Sequence, residues 1–113
     1  MKVLLIRSRS GNMLTLANPI RTEPLDLEYL VTVCKNEGVD VRIFDEMIPG
    51  PSLKVILRSY KPDVVGLTGY VTAQGQLLDC AAKIKTVIPG AIVILGGVHA
   101  EVNYESFQDP NID

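Results

Sequence analysis

The sequence predicts an α/β domain built on an open, doubly wound parallel sheet. Three observations predict it. Two short segments, Asp63-Val64-Val65-Gly66-Leu67-Thr68 and Ala91-Ile92-Val93-Ile94-Leu95, are apolar nearly throughout, as expected of parallel strands covered on both faces. Segments of helical period alternate with the strands, giving the order β-α-β-α-β-α-β-α. The strands run out into small or hydroxyl residues, Thr68-Gly69-Tyr70 and Gly96-Gly97-Val98-His99. In such sheets ligands bind beyond the carboxyl ends of the strands.

Each element has a local cause. The first strand is Lys2 to Ile6, followed by a polar stretch from Arg7 to about Thr22. That is far longer than the usual connection of about 2–6 residues, and loops of this kind commonly bind or cover ligands. Thr22, Glu23 and Pro24 suit a helix start. Leu27, Leu30, Val31 and Cys34 form its inward stripe, and Gly38 stops it. Val39 to Phe44 is the second strand, with Asp45 at its end.

Pro49-Gly50-Pro51 breaks the chain, Ser52 caps the next helix, and Leu53, Ile56, Leu57 and Tyr60 share one face of it. Pro62 ends that helix before the third strand. A helix from about Thr72 to Val87 directs Leu77, Ala81, Ile84 and Ile88 at the sheet, and Pro89-Gly90 turns into the fourth strand. Glu101 to Gln108 predicts a short last helix. Right-handed crossovers favour flavodoxin-like strand order. The last unit leads toward a fifth strand that is expected to be truncated, so residues 1–113 are expected to be the N-terminal domain of a longer protein. The open edge left behind invites pairing into a homodimer.

Bulk properties exclude several function classes. With 47% hydrophobic and 21% charged residues, the chain is globular rather than disordered, and 113 residues bury roughly two-thirds of the unfolded surface. A net charge of −2 with interspersed signs offers no field for nucleic acid or an anionic membrane. The apolar run Val3-Leu4-Leu5-Ile6 is too short for a signal peptide, no segment has the length to span a bilayer, and a cytoplasmic location is expected. Cys34 and Cys80 stand too far apart for the clustered thiolates of a zinc or iron–sulfur site; core positions in a reducing compartment are expected for both.

The residues able to carry function cluster at the strand ends. Gly69, Gly96 and Gly97 let a flat or bulky ligand approach the backbone; a strand-to-helix turn needing positive φ would explain any one of them equally well. Thr68 could bond a ligand's polar edge or cap a helix, and Tyr70 and Val71 offer apolar wall. Ser8 and Asn12 of the first loop are further candidate contacts. That loop holds one glycine, so phosphate-loop and dinucleotide fingerprints are absent. Asp45 could read a ribose, but no glycine fingerprint accompanies it. His99, the one histidine, has no carboxylate or Cys neighbour in sequence to activate it. No nucleophile–base–acid set and no metal site can be assembled, so a binding module is expected rather than an enzyme on its own.

Lys61-Pro62-Asp63-Val64-Val65-Gly66-Leu67-Thr68 and Ile92-Val93-Ile94-Leu95-Gly96-Gly97-Val98-His99-Ala100 resemble the N-terminal cobalamin-binding domain of B12-type radical-SAM proteins. Met1 to Ile6, Pro24 to Leu30 and Asp109 to Asp113 extend the resemblance over essentially the whole chain. The group most similar includes the anaerobic magnesium-protoporphyrin IX monomethyl ester cyclases and assorted radical methyltransferases. The resemblance implies a corrin ring over the strand ends and a nucleotide tail in a slot beside the sheet. Thr68 then stands for the hydroxyl of a Ser-x-Leu pattern, completed by Gly69 and Tyr70, and Gly96 and Gly97 flank the tail.

His99 matches the family's Gly-Gly-x-His pattern, without a role as cobalt ligand. The first loop has no histidine, so the Asp-x-His-x-x-Gly motif of methyl-transferring relatives, and a lower cobalt ligand from that loop, are missing. The Cys-x-x-x-Cys-x-x-Cys triad is missing too. A 4Fe-4S cluster and S-adenosylmethionine would therefore belong to a C-terminal radical-SAM domain, the expected partner of this one. Two alternatives stand beside this reading: a degenerate scaffold or interface domain that binds nothing, and a flavin- or nucleotide-binding flavodoxin-like module.

Overall fold

The computed structural model describes residues 1–7, 25–46, 48–68, 74–96 and 108–113. The described elements are β1 (Lys2–Arg7), α1 (Leu25–Asn36), β2 (Asp40–Asp45), α2 (Leu53–Tyr60), β3 (Val64–Thr68), α3 (Gln74–Val87) and β4 (Ile92–Gly96). The four strands form one sheet in the order β2-β1-β3-β4, and all three pairings are parallel. This is the flavodoxin-like α/β arrangement. The expected helix Glu101 to Gln108 lies almost wholly outside the described residues, as do Thr22 and Thr72, where two helices were expected to start.

The sequence explains where the helices stop. Gly38 adopts φ +75°, its N–H bonds to the Lys35 carbonyl, and the Val39 N–H bonds to the Cys34 carbonyl. This pair of bonds closes α1 in a Schellman motif, with glycine where the left-handed conformation is required. Ser52 caps α2, its side chain accepting from the Val55 N–H at 3.4 Å. Lys61 ends the same helix at φ 54° with its N–H on the Leu57 carbonyl, and Pro62 prevents any continuation.

Two cores form, one on each face of the sheet. Leu4, Ile6, Val65, Leu67 and Val93 meet Leu57 and Tyr60 of α2 and Leu77, Ala81 and Ile84 of α3. On the other face Val3, Leu5 and Val41 meet Leu27 of α1, with Val31 and Cys34 partly buried against them. Cys80 is buried in the first core, and burial, aided by the charge of Glu46, pushes its thiol up to about 12. It is a thiol held neutral among apolar neighbours.

Two expectations need correction. Leu30 is not part of the α1 inward stripe: it is 45% exposed, because Leu27, Val31 and Cys34 complete the contact that α1 makes. Nor is β4 covered on both faces. Ile92 and Ile94 are half exposed, since α1 lies over β1 and β2 and does not reach them.

Tyr60 ties the amino end of the sheet together. Its hydroxyl donates toward the carbonyls of Asp40 (2.9 Å) and Val3 (3.3 Å), one from each of two neighbouring strands. The Arg42 guanidinium stacks 4.4 Å from the ring centroid. Burial, then the neighbouring Asp40, raises the phenol above its ordinary value. Tyr60→Phe is expected to lower stability by about 1–2 kcal/mol, by leaving those carbonyls without their donor. Chemical denaturation with an unchanged m-value checks it.

Candidate functional site at the strand ends

The register places one residue from each strand in a single row across the carboxyl end of the sheet. Arg7 pairs with Asp45 on one side and Thr68 on the other, and Thr68 pairs with Gly96. Paired residues of a parallel sheet share a face. The row Asp45-Arg7-Thr68-Gly96 therefore lies on the face that carries Val3, Leu5 and α1. The crossover from β2 to β3 passes behind β1, so the strand order reverses between β1 and β3. In open α/β sheets this switch point is where ligands enter, and Arg7 and Thr68 stand on either side of it.

Arg7 was not anticipated as a site residue. It is 8% exposed, and its Nε lies 3.7 Å from Asp45 Oδ1, with both side chains buried. The Glu46 N–H bonds to the Arg7 carbonyl at 3.1 Å, which extends the β1–β2 ladder past the strand ends and holds the pair in place. Asp45 faces Arg7 across the β1–β2 pairing. The available signal was a charge at the end of an otherwise apolar strand, since a buried cation calls for a carboxylate on the neighbouring strand.

Thr68 is half-buried, and among the described residues its hydroxyl makes no hydrogen bond. Gly96 is exposed, its φ is not positive, and among the described residues a Cβ built on it would meet nothing within 4 Å. The backbone does not require glycine there, which removes the turn explanation for this position. A missing side chain beside open space is what close approach of a ligand needs. Ser8, Asn12, Gly69, Tyr70, Val71, Gly97 and His99 lie outside the described residues.

A cavity of about 440 Å³ opens at the carboxyl end of β2, lined by Glu28, Phe44, Asp45, Ile48, Pro51 and Ile56 among others. It meets the row only at Asp45, at the edge away from Thr68 and Gly96. Among the described residues no three His, Cys, Asp or Glu side chains come together to hold a metal ion. No described helix is long and apolar enough to cross a membrane.

Parallel α/β domains of this order form a class whose members bind ligands across the strand ends at the switch point. Comparison with known proteins gives the family. The B12 binding domain family matches residues 14–113, and the chain belongs to that family. It is similar to an uncharacterized methyltransferase of Pyrococcus horikoshii, 28% identical over 102 residues. The match takes in 88% of this chain and 22% of that protein, so the chain spans about a fifth of the relative's length. No solved structure matches the chain.

The described residues fit a cobalamin. Gly96 leaves the space a large group needs, Thr68 presents an unengaged hydroxyl, and the buried Arg7–Asp45 pair fixes the carboxyl end of β1 beside them.

Proposed function

We propose that this chain is the cobalamin-binding module of a larger radical-SAM enzyme of the methyltransferase or cyclase type. The observation that carries the reading is the family match over residues 14–113, joined to the open space at Gly96 in register with Thr68 at the switch point. The relative that is a methyltransferase favours methyl transfer over cyclisation. Bound cobalamin supplies a cobalt centre able to carry a methyl group. The chain's own residues bind and orient: Thr68 offers a hydroxyl to the ligand's polar edge, while Gly96, Gly97 and Gly69 admit its bulk. The 4Fe-4S cluster and S-adenosylmethionine belong, in this proposal, to a C-terminal radical-SAM domain of the same parent.

The test is an ultraviolet–visible titration of the purified chain with hydroxocobalamin, followed by desalting. Retention of a roughly stoichiometric cobalamin spectrum supports the module. A folded chain that retains none, in a parent that retains none either, overturns it and leaves the scaffold reading.

A further inference from the structure

The carboxyl end of β2 is bracketed on both faces of the sheet. β2 stands at the edge of the four described strands, and its last residues alternate. Ile43 packs on the face that α1 covers, and Phe44 packs against the core beneath α2. The chain then runs through Ile48, Pro49, Gly50 and Pro51 before Ser52 starts α2. Glu28 of α1, this strand end and loop, and Ile56 of α2 together line the cavity of about 440 Å³. That volume falls within the roughly 300–1,000 Å³ of small-molecule sites. The cavity opens at the end of the sheet where ligands bind, yet it stands apart from Thr68 and Gly96. Cobalamin binding at that row does not account for it.

Its chemistry is one-sided. The walls are the hydrocarbon of isoleucine, phenylalanine and proline side chains. Among the described residues the charged groups that line it, Glu28 and Asp45, are both acidic. An ionised carboxylate only accepts, so no lining side chain offers an N–H or O–H donor. The loop backbone adds few donors. Pro49 and Pro51 have no N–H, and the Ile48 N–H is bonded to the Asp45 carbonyl at 3.1 Å. An anion placed here would meet like charge and scarcely a donor. A cation that brings its own donors on an apolar body meets complementary groups on every side.

The two carboxylates differ in what they already do. Asp45 is buried and faces Arg7. Glu28 is exposed, and its side chain makes no hydrogen bond or ion pair with the described residues. It can close on a ligand without giving up a contact that those residues make. Ile48 is 59% exposed, apolar surface that a bound hydrocarbon would cover.

We propose that this cavity is a second ligand site, which takes a small organic ammonium. The ammonium donates to the Glu28 carboxylate, Asp45 adds to the negative field, and the apolar body lies against Ile43, Phe44, Ile48 and Ile56.

The probe is phenethylammonium, titrated into the full chain without cobalamin and followed by the δ-methyl NMR signals of the isoleucines. Phenethyl alcohol and hydrocinnamate, similar in shape but neutral and anionic, are titrated beside it. The ammonium is expected to shift the Ile43, Ile48 and Ile56 methyls, to leave Ile84 and Ile92 unmoved, and to saturate with a Kd of about 1 mM. The alcohol and the carboxylate are expected to bind about 10-fold more weakly or worse. Glu28→Gln, at an exposed helix position, is expected to weaken the ammonium by about 10-fold while the apo Tm and the affinity for the alcohol stay unchanged. Equal binding of the three probes overturns the proposal, because the cavity would then be an apolar groove indifferent to charge. Unchanged ammonium affinity in Glu28→Gln overturns it too, as do shifts confined to other isoleucines or no shift at about 10 mM ammonium. Cobalamin is absent from every arm, so failure here leaves the cobalamin reading standing, and failure to retain cobalamin leaves this site standing.

Discussion

Gly96→Val is expected to weaken cobalamin binding by on the order of 100-fold, about 2.7 kcal/mol, with Tm unchanged. Position 96 separates fold from ligand unusually well. Its φ is not positive, a Cβ there would touch no described residue within 4 Å, and the residue is exposed. A β-branched side chain is compatible with a strand end, so the protein should fold and melt as before. Its two methyl groups would occupy the space that a ligand needs for close approach beside Thr68. Gly96→Ala should give an intermediate loss. The check is a hydroxocobalamin titration run beside thermal melts of the apo proteins. Unchanged affinity in Gly96→Val would remove Gly96 from the site.

Asp45→Asn should destabilise the domain by about 3 kcal/mol, a sizeable share of the 5–15 kcal/mol that holds a domain folded. The reason is asymmetric. Arg7 and Asp45 are both buried side chains at 3.7 Å, a separation longer than a hydrogen bond. The attraction they provide is therefore modest. Removing the carboxylate nevertheless takes from a buried guanidinium one of the groups that offset its charge, and that penalty dominates. Replacing both together, with Arg7→Met and Asp45→Leu, should recover most of the loss. A double-mutant cycle by chemical denaturation measures the coupling. A cost below about 0.5 kcal/mol would place the pair with ordinary surface ion pairs.

Much of the fold was legible because its signals are local. Ser52, Gly38 and Pro62 punctuate the chain by side-chain and backbone chemistry that needs no distant partner, and each acts where the sequence places it. The stripe Leu57-Tyr60 on α2 and Leu77-Ala81-Ile84 on α3 follows from helical period alone. Leu30 misled because period identifies a stripe without fixing its width, which depends on how far α1 reaches across the sheet. The half-covered β4 misled for a related reason: an apolar strand shows what it could bury, and tertiary structure decides what it does bury.

At the site, Thr68 and Gly96 were readable as residues following apolar strands, and the register sets them side by side. Arg7 was not, because its role arises from pairing with Asp45 across two strands separated by α1. Sequence shows a charge at a strand end but not the opposite charge that folding brings beside it.

The central position of β1 has a consequence for how the domain assembles. β1 is made first, and β2 can join it as soon as α1 has formed, a pairing of modest sequence separation. Its other edge stays unpaired until β3 arrives, and the bond from the Lys2 N–H to the Asp63 side chain spans 61 positions. Non-local parallel pairing of this kind is slow, and an unpaired apolar edge is open to wrong partners while it waits. During synthesis Val3 to Ile6 must therefore remain without their second neighbour until residue 68 is available. Conditions that slow translation between β2 and β3 should lengthen that exposure and raise aggregation, with no change in the stability of the finished domain.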